Sequence, residues 1–563
     1  VFNGCVYNHA ELRTALEGRG RRFETHHSDT EALLQAYLDA GLACDRRLDA
    51  MFAMCVWDRR LGSLRALRDP AGEKPLWTLL DHADPGLGVF ASVPGAITRL
   101  GGVLPRWRST RPDPGSVGAW CRLGTNAASP TLDAALAEPG VWLETFSDGE
   151  VCLPLAERDD TGPRYKGLAR TDARLDADRV EALLAAGVRT RLTADVPLGC
   201  FLSGGVDSAL IAALARRELD ELSTWTLRMP DPAYDESEAA RQTAQHLGTT
   251  HHTLECETCA ADDLVMLIER LGLPFGDSSL LPTYWLSRAA REHIKVALAG
   301  DGGDELFGGY DRQSIVPFAA RYRGLLAALP TSLLDERDLT SRSARLARLV
   351  RAARRDGYVG LLSIFQSPQL RRLLVTRPPL PDPKLPFRLA PDPLTRDFLR
   401  YLPDDLLMKT DTASMAVGLE VRAPFLNPPL VEACLSAPLE TLMPGGARKG
   451  LLKQVARRHL PDHIVDRPKR GFAIPIGEWF RTDFGGMRQL LHDHLESADP
   501  FPGLGEGGVE INMSFVRRMR REHDAAGEKS LNPWHGRDHS QRLYMLLVLS
   551  IWAKWFERVR REG

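Results

Sequence analysis

One short run constrains this chain more than any other: Ser203-Gly204-Gly205-Val206-Asp207-Ser208, placed after the apolar stretch Gly199–Leu202. Two adjacent glycines let the backbone turn tightly and gather N–H groups at one point. The helical pattern that follows, Asp207–Arg217, puts the partial positive charge of a helix N-terminus at the same place. A strand entering a helix through such a turn is a candidate polyphosphate cradle. The hydroxyls of Ser203 and Ser208 are suited to donate to phosphate oxygens. Asp207 would repel phosphate directly, so its natural role is to hold Mg²⁺. The bland alternative is a tight strand-to-helix corner without a ligand.

The surroundings favour the cradle. A helix is predicted over Ala177–Ala194, then strand Gly199–Leu202, strand Ser223–Met229, helix Glu236–His246, strand Thr250–Leu254, helix Tyr284–His293 and strand Ile294–Ala299. Strand and helix alternate, which predicts a parallel sheet with helices on both faces. Ligands of such sheets sit beyond the carboxyl ends of the strands. There a second loop follows, Gly300-Asp301-Gly302-Gly303-Asp304-Glu305-Leu306-Phe307-Gly308-Gly309-Tyr310. Its acids are not core chemistry. Asp207 and Asp304 are placed to share one Mg²⁺ on a triphosphate; a solvated acidic turn is the alternative. Residues 310–563 read as mostly helical.

The first 80 residues read as mixed α/β. Helices are predicted over Glu11–Glu17 and Thr30–Ala40, the second opened by Ser28 with Glu31 three residues on, as in a capping box. Phe52–Asp58 and Ser63–Leu67 read as strands around the turn Arg59–Gly62. Residues 101–165, rich in Pro, Gly, Ser and Asp, read as the tail of a first domain and a linker. With 563 residues, the chain is too long for one core. The division expected is 1–165 and 176–563.

A net charge of -2 gives no field for nucleic acid or anionic membrane, and the basic run 557–562 reads as a solvated helix end. No apolar run spans a bilayer and no signal peptide opens the chain. Nine scattered cysteines argue against a disulfide framework, and the lone pair Cys256/Cys259 reads as two thiols rather than a metal site. The expectation is a cytoplasmic enzyme acting on small molecules; a homodimer is compatible with it.

SGGVDS matches the pyrophosphate loop of the N-type ATP pyrophosphatases. Together with YDES (234–237), LPFGDSSLLPTY (273–284), ALAGDGGDELFGGY (297–310), LLMKTDTASMAVGLEVRAPFLN (406–427) and RPKRGFAIPIGEW (467–479), in that order, it resembles asparagine synthetase of the glutamine-hydrolysing type. The resemblance implies a partial N-terminal nucleophile-type α+β sandwich, then a doubly wound parallel-sheet ATP pyrophosphatase domain with a helical C-terminal portion. The implied reaction adenylates the β-carboxylate of aspartate with ATP, then amidates it with ammonia delivered from glutamine through an internal tunnel. It further implies that Leu202, Leu227, Ala299 and Gly300 contact the nucleotide, that Asp301 serves the acyl-adenylate, and that Lys469 stabilises departing pyrophosphate. A lysine and Mg²⁺ there would favour the transition state over the ground state. For Arg467–Arg470 the alternative is a solvated basic loop. Glu420 and Arg422 read first as an ion pair holding a helix end, with Lys409 and Asp411 candidates for the same network.

FNGCVYNHAELR (2–13), HHSDTEALLQAY (26–37) and RDPAGEKPLW (68–77) extend the resemblance to the amidotransferase half. It implies Asn3 and Gly4 as oxyanion hole and Asp29 as the partner of glutamine's α-amino group. Two departures stand out. The family's nucleophilic cysteine lies upstream of this segment, and Cys5 replaces its glutamate. Cys5 is mid-chain, without the free α-amine that serves as base, so it reads as no nucleophile. Val1 in place of Met raises the expectation of residues upstream, or else of a glutaminase that is weakened. Relatives that amidate or cyclise another carboxylate, such as the β-lactam synthetases, remain the alternative function. A decayed, non-catalytic scaffold is disfavoured, since decay would first strip Asp207, Asp304 and Lys469.

Overall fold

The structure is a computed structural model. It describes residues 1–80, 88–100, 111–125, 135–136, 139, 141, 143–146, 151–152, 164–165, 168–171, 174–256, 259–330, 341–353, 357–376, 392–468, 474–526 and 537–562.

The alternation read from residue 176 onward forms a five-stranded sheet. Its spatial order is Thr250–Glu255, Ser223–Arg228, Leu198–Phe201, Val296–Leu298, Glu420–Arg422. Every pairing in it is parallel. The cradle strand Leu198–Phe201 is central, so the loops that follow it and Val296–Leu298 open side by side at the sheet's carboxyl edge. Helix Val206–Glu218 is buried along almost its whole length, as a helix packed under a sheet must be. The strand Glu420–Arg422 and the helix Ala260–Leu271 escape the sequence reading. Three residues are too few to show a period, and the helix sits where the segment carries no strong cap.

The N-terminal half is antiparallel. Five strands run in the order Phe2–Val6, Ala50–Asp58, Ser63–Arg68, Leu143–Phe146, Val151–Cys152, with a separate three-stranded sheet beside them. Helices His9–Glu17 and Asp29–Ala40 pack through Leu12, Leu16, Leu33, Ala36 and Tyr37 onto the first sheet. Ser28 caps the second helix, its hydroxyl accepting from Glu31 N at 3.2 Å. Only half of the predicted capping box forms, because the Glu31 carboxylate accepts from Glu24 N and Thr25 N instead. Within 101–165, read as tail and linker, the structure places a helix, Pro114–Leu123, capped by Asp113 and buried through Val117 and Trp120. Proline at its first position and three glycines in twelve residues hid it from a periodicity argument.

The helical C-terminal portion is held by helix Ser540–Glu562, with Tyr544, Leu547, Ile551, Trp552 and Trp555 buried. Among the described residues, no helix is long and apolar enough to cross a membrane.

Candidate active site

At the carboxyl edge of the parallel sheet lies a cavity of about 710 Å³. Its walls bring together nearly all of the expected ATP-side residues: Leu202, Ser203, Gly205, Asp207, Ser208, Leu227, Ala299, Gly300, Asp301 and Asp304. Gly204 is the exception. Its N–H donates to Oε2 of Glu236, a residue that does line the cavity, at 3.2 Å. The rest of the turn is satisfied internally too. Ser203 N donates to Ser208 Oγ at 3.1 Å, Gly205 N donates to Ser203 Oγ at 3.1 Å, and the two hydroxyls lie 2.8 Å apart. The motif YDES thereby gains a structural role. Asp235 accepts from Met229 N and Ser237 N, Glu236 ties down the turn, and Tyr234 faces the cavity.

The two loops interlock closely. A Cβ on Gly300 would lie 3.0 Å from Ser208 N, and one on Gly309 would lie 1.7 Å from Asp304 Oδ1. These glycines are there for close approach, which side chains would prevent. The result is that Asp207 and Asp304 converge on one point. That point is occupied by Lys449 Nζ, 2.5 Å from Asp207 Oδ2 and 2.6 Å from Asp304 Oδ1. Lys449 is only 6% exposed. Its φ of 54° is left-handed, unusual for a residue with a side chain. It is held there by its N–H, which donates to Phe307 O at 3.0 Å, in the short helix that carries Asp304. Burial works against the charged ammonium, but the two carboxylates outweigh it and push its pKa up. Sequence reasoning missed Lys449: ARKGLL carries no turn or strand signature to separate it from an ordinary basic surface run.

Beyond the carboxylates the cavity changes character. Asp301, partly exposed to it, accepts from Thr410 Oγ1 at 3.4 Å. Burial raises its pKa first of all, with nearby Lys409 opposing. Lys409 Nζ lies 3.5 Å from Asp277 Oδ2, and Asp277 is fixed by Ser279 N at 2.8 Å. Behind them Asp405 is pushed up to about 8 by burial and then by the Asp277 charge. Arg448, Lys453 and Arg467 line the mouth. Lys469, expected at the pyrophosphate, lies outside the described residues.

Of the two candidates for the Glu420–Arg422 network, Asp411 is linked to it through Lys74, which feels the charges of both Asp411 and Glu420, while Lys409 turns elsewhere. Lys409 faces Asp277, whereas Asp411 pairs with Lys74 of the N-terminal half at 2.9 Å, both side chains buried. Arg422 holds a helix end: its guanidinium donates to Arg191 O and Thr193 O, at the end of helix Ala177–Arg191, and to Glu420. Its other nitrogen approaches Cys5 Sγ at 3.7 Å. Burial pushes the Cys5 thiol up to about 11, so it carries no thiolate near neutrality. Asn3 Nδ2 donates to Ser92 Oγ at 3.4 Å, and Asp29 Oδ2 accepts from Val6 N at 3.1 Å, so Asp29 reaches the strand that carries Asn3 and Gly4. A Cβ on Gly4 would lie 2.0 Å from Met51 O, which reserves that position for glycine.

RDPAGEKPLW is the seam between the halves. Asp69 accepts from the N–H groups of Phe52, Ala71, Glu73 and Lys74. Arg68 donates to Gly72 O at 2.8 Å and Pro403 O at 3.3 Å. A second cavity of about 20 Å³ sits at this seam, lined by Glu73, Lys74 and Asp411 on one side and by Asp301 and Thr410 of the large cavity on the other.

Residues 179–555 match the Asparagine synthase family and residues 1–110 the Glutamine amidotransferase domain. A putative asparagine synthetase [glutamine-hydrolyzing] of Mycobacterium bovis is 29% identical over 99% of this chain and 84% of its own. Asparagine synthetase [glutamine-hydrolyzing] 1 of Bacillus subtilis is 26% identical over 98% of this chain and 84% of its own. A solved glutamine phosphoribosylpyrophosphate amidotransferase of B. subtilis overlaps 45% of this chain and 44% of its own at 14% identity, with a TM-score of 0.18, too low to bear on the fold. With its synthase match running through both carboxylate loops and its amidotransferase match through the seam, this chain is a ligase of the glutamine-hydrolysing asparagine synthetase family.

Proposed function

We propose that the large cavity adenylates a carboxylate acid, aspartate in the first instance, and that ammonia then converts the acyl-adenylate to an amide. One observation carries this reading: Asp207 and Asp304, from separate loops, meet around a single cation position beside the Ser203–Ser208 turn, with Asp301 a few residues away in the same cavity. Apolar Leu202 and Leu227 suit a base and ribose. The turn and Lys449 suit phosphates. Asp277, Asp301 and Lys409 suit the charged groups of an amino-acid acceptor.

The chemistry follows from that order. A carboxylate oxygen of the acceptor attacks the α-phosphorus of ATP; the new O–P bond forms as the bond to the bridging oxygen breaks and pyrophosphate leaves. Ammonia attacks the acyl carbon, the C–O bond to AMP breaks, and the ammonia nitrogen gives up a proton. Two carboxylates already spaced to share one cation fit Mg²⁺. When bound it would neutralise charge gathering on the pyrophosphate. Lys469 is proposed to assist there, and Ser203 and Ser208 to turn their hydroxyls from each other to the phosphates. We place the amidotransferase half in 1–165 and the synthetase half in 176–563. The seam cavity supports ammonia passage between them: about 20 Å³ is room for one water-sized molecule. Asn3, Gly4 and Asp29 would bind glutamine, with Cys5 unable to supply the carboxylate that the family places there.

Pyrophosphate release with a panel of acids tests the proposal. Release that depends on aspartate supports asparagine formation. Release only with another acid transfers the chain to the amidating or cyclising relatives. No release with any acid and no ATP binding would overturn the synthetase reading. Asp207→Ala and Lys469→Ala are expected to abolish product while leaving the chain folded.

A further inference from the structure

Asp207 and Asp304 are spaced for a divalent cation, yet the position between them already holds an ammonium. We propose that Lys449 is a resident counter-ion for the metal site: it keeps the two carboxylates together while the cavity is empty, and Mg·ATP must displace it, after which its ammonium turns to the phosphates. This rests on the reading that Asp207 and Asp304 receive the cation.

Three features of the chain support it. Two partly buried carboxylates facing each other repel, and an empty site built from them alone would splay open. Lys449 cancels that repulsion, with both contacts at or below 2.6 Å. Second, its placement is built in rather than a surface side chain's chance rotamer. The backbone takes a left-handed turn at φ 54°, and its N–H is tied to Phe307 O at 3.0 Å. Third, Gly309 is needed where Lys449 sits: a Cβ there would lie 2.6 Å from Lys449 Cε as well as 1.7 Å from Asp304 Oδ1. The stem of Lys449 therefore has its own slot beside the carboxylate. A long flexible stem lets the ammonium move by a few ångströms without moving the backbone. Since Lys449 also lines the cavity, that short swing carries it from the carboxylates to the triphosphate.

The consequence is a coupling. Without nucleotide, a divalent ion entering the site must evict a buried ammonium into a cavity whose other acids are already engaged: Glu236 by Gly204 N, Asp277 by Lys409, Asp301 by Thr410, Glu305 by Tyr310 and Asp466 by Lys453. With nucleotide, the phosphates receive it. Metal and ATP therefore bind as a pair, and a free divalent ion does not hold the site alone.

The test is Mn²⁺ titration of the full chain, read by electron paramagnetic resonance, with and without α,β-methylene-ATP. The wild type is expected to bind Mn²⁺ weakly alone and tightly with the analogue. Lys449→Met should bind Mn²⁺ without nucleotide at least about tenfold more tightly than the wild type, because the competing charge is gone. Lys449→Arg, which keeps a charge, should stay weak. If Lys449→Met and the wild type bind nucleotide-free Mn²⁺ equally, the counter-ion role is refuted while the metal site stands. If the wild type with analogue binds no Mn²⁺ that Asp304→Asn removes, the metal reading itself fails. Should Lys449→Met not fold, as far-UV circular dichroism would show, crystal structures of the wild type decide. With Mn²⁺ and analogue bound, Lys449 Nζ is expected to have left both carboxylates. An ammonium still bridging them beside the metal overturns the proposal.

Discussion

Replacing Lys74 by methionine should loosen the seam between the two halves. Lys74 Nζ and Asp411 Oδ1 lie 2.9 Å apart, with side-chain exposures of 5% and 9%. At that separation two unit charges attract by about 6 kcal/mol at an effective dielectric near 20. Most of this is offset by desolvating both groups, so the intact pair contributes little over an apolar pair. Removing one partner is another matter: Asp411 is left buried without its ion-pair partner and with only the more distant Arg68 to oppose its charge, at a cost of up to roughly 3–5 kcal/mol. For the cooperative unit that contains the seam this corresponds to a fall in Tm of roughly 6–20 °C. Methionine matches the lysine stem in volume, so packing loss does not confuse the result. The double variant Lys74→Met/Asp411→Leu removes both charges and should recover to within about 1 kcal/mol of the wild type. Thermal unfolding of the four proteins, followed by circular dichroism at one protein concentration, closes the cycle. A single variant that melts within about 1 °C of the wild type would refute the reasoning. So would a double variant as unstable as the two single losses added together.

Four further outcomes follow from the same geometry. Asp405, pushed up to about 8 by burial, is protonated in the folded state where the unfolded chain, near 3.8, has lost its proton. Stability therefore falls as pH rises between those values, and Asp405→Asn should gain over the wild type progressively across that window in urea titrations; a constant difference would contradict it. Gly309→Ala would place a Cβ 1.7 Å from Asp304 Oδ1, and pyrophosphate release should drop by about 100-fold or more as the carboxylate is displaced. Gly72→Ala meets a φ of +75° and a Cβ contact of 2.7 Å with Pro403; a loss of about 1–3 kcal/mol is expected by denaturant unfolding. Glu236→Ala frees Gly204 N, at 3.2 Å from its carboxylate, and should raise KM for ATP several-fold with little change in Tm, read from pyrophosphate kinetics.

How much of this was legible in the sequence varies with the kind of signal. The phosphate turn and the strands before and after it were readable because glycine pairs, apolar runs and a following amphipathic helix are local signals. So was the cap at Ser28, one residue from its helix. What distant loops do to each other is not local. Lys449 lies 242 residues from Asp207, with nothing in its own neighbourhood to mark it. The strand Glu420–Arg422 exists only because Val296–Leu298 offers an edge to it. The pairing of Lys74 with Asp411 spans 337 residues, and helix Pro114–Leu123 is defined by what buries Trp120 more than by its own composition.

Three lysines buried among the described residues give the motif order its physical sense. Lys74 reaches from the seam motif to Asp411, Lys409 from the 406–427 motif to Asp277, and Lys449 to both phosphate-side loops. Each is a cation that would be expensive to bury alone and is tolerated only opposite a carboxylate from a different segment. Each segment is therefore obliged to be where its partner is. The 406–427 motif sits at the junction: opposite faces of one helix send Lys409 toward the acceptor end of the cavity and Asp411 toward the amidotransferase half. A shift of that helix cannot satisfy one pair without disturbing the other. The seam and the acceptor pocket are thus mechanically joined through two residues placed two apart, and a perturbation that strains the Lys74–Asp411 pair should be felt at Asp277 before it is felt at the phosphate turn.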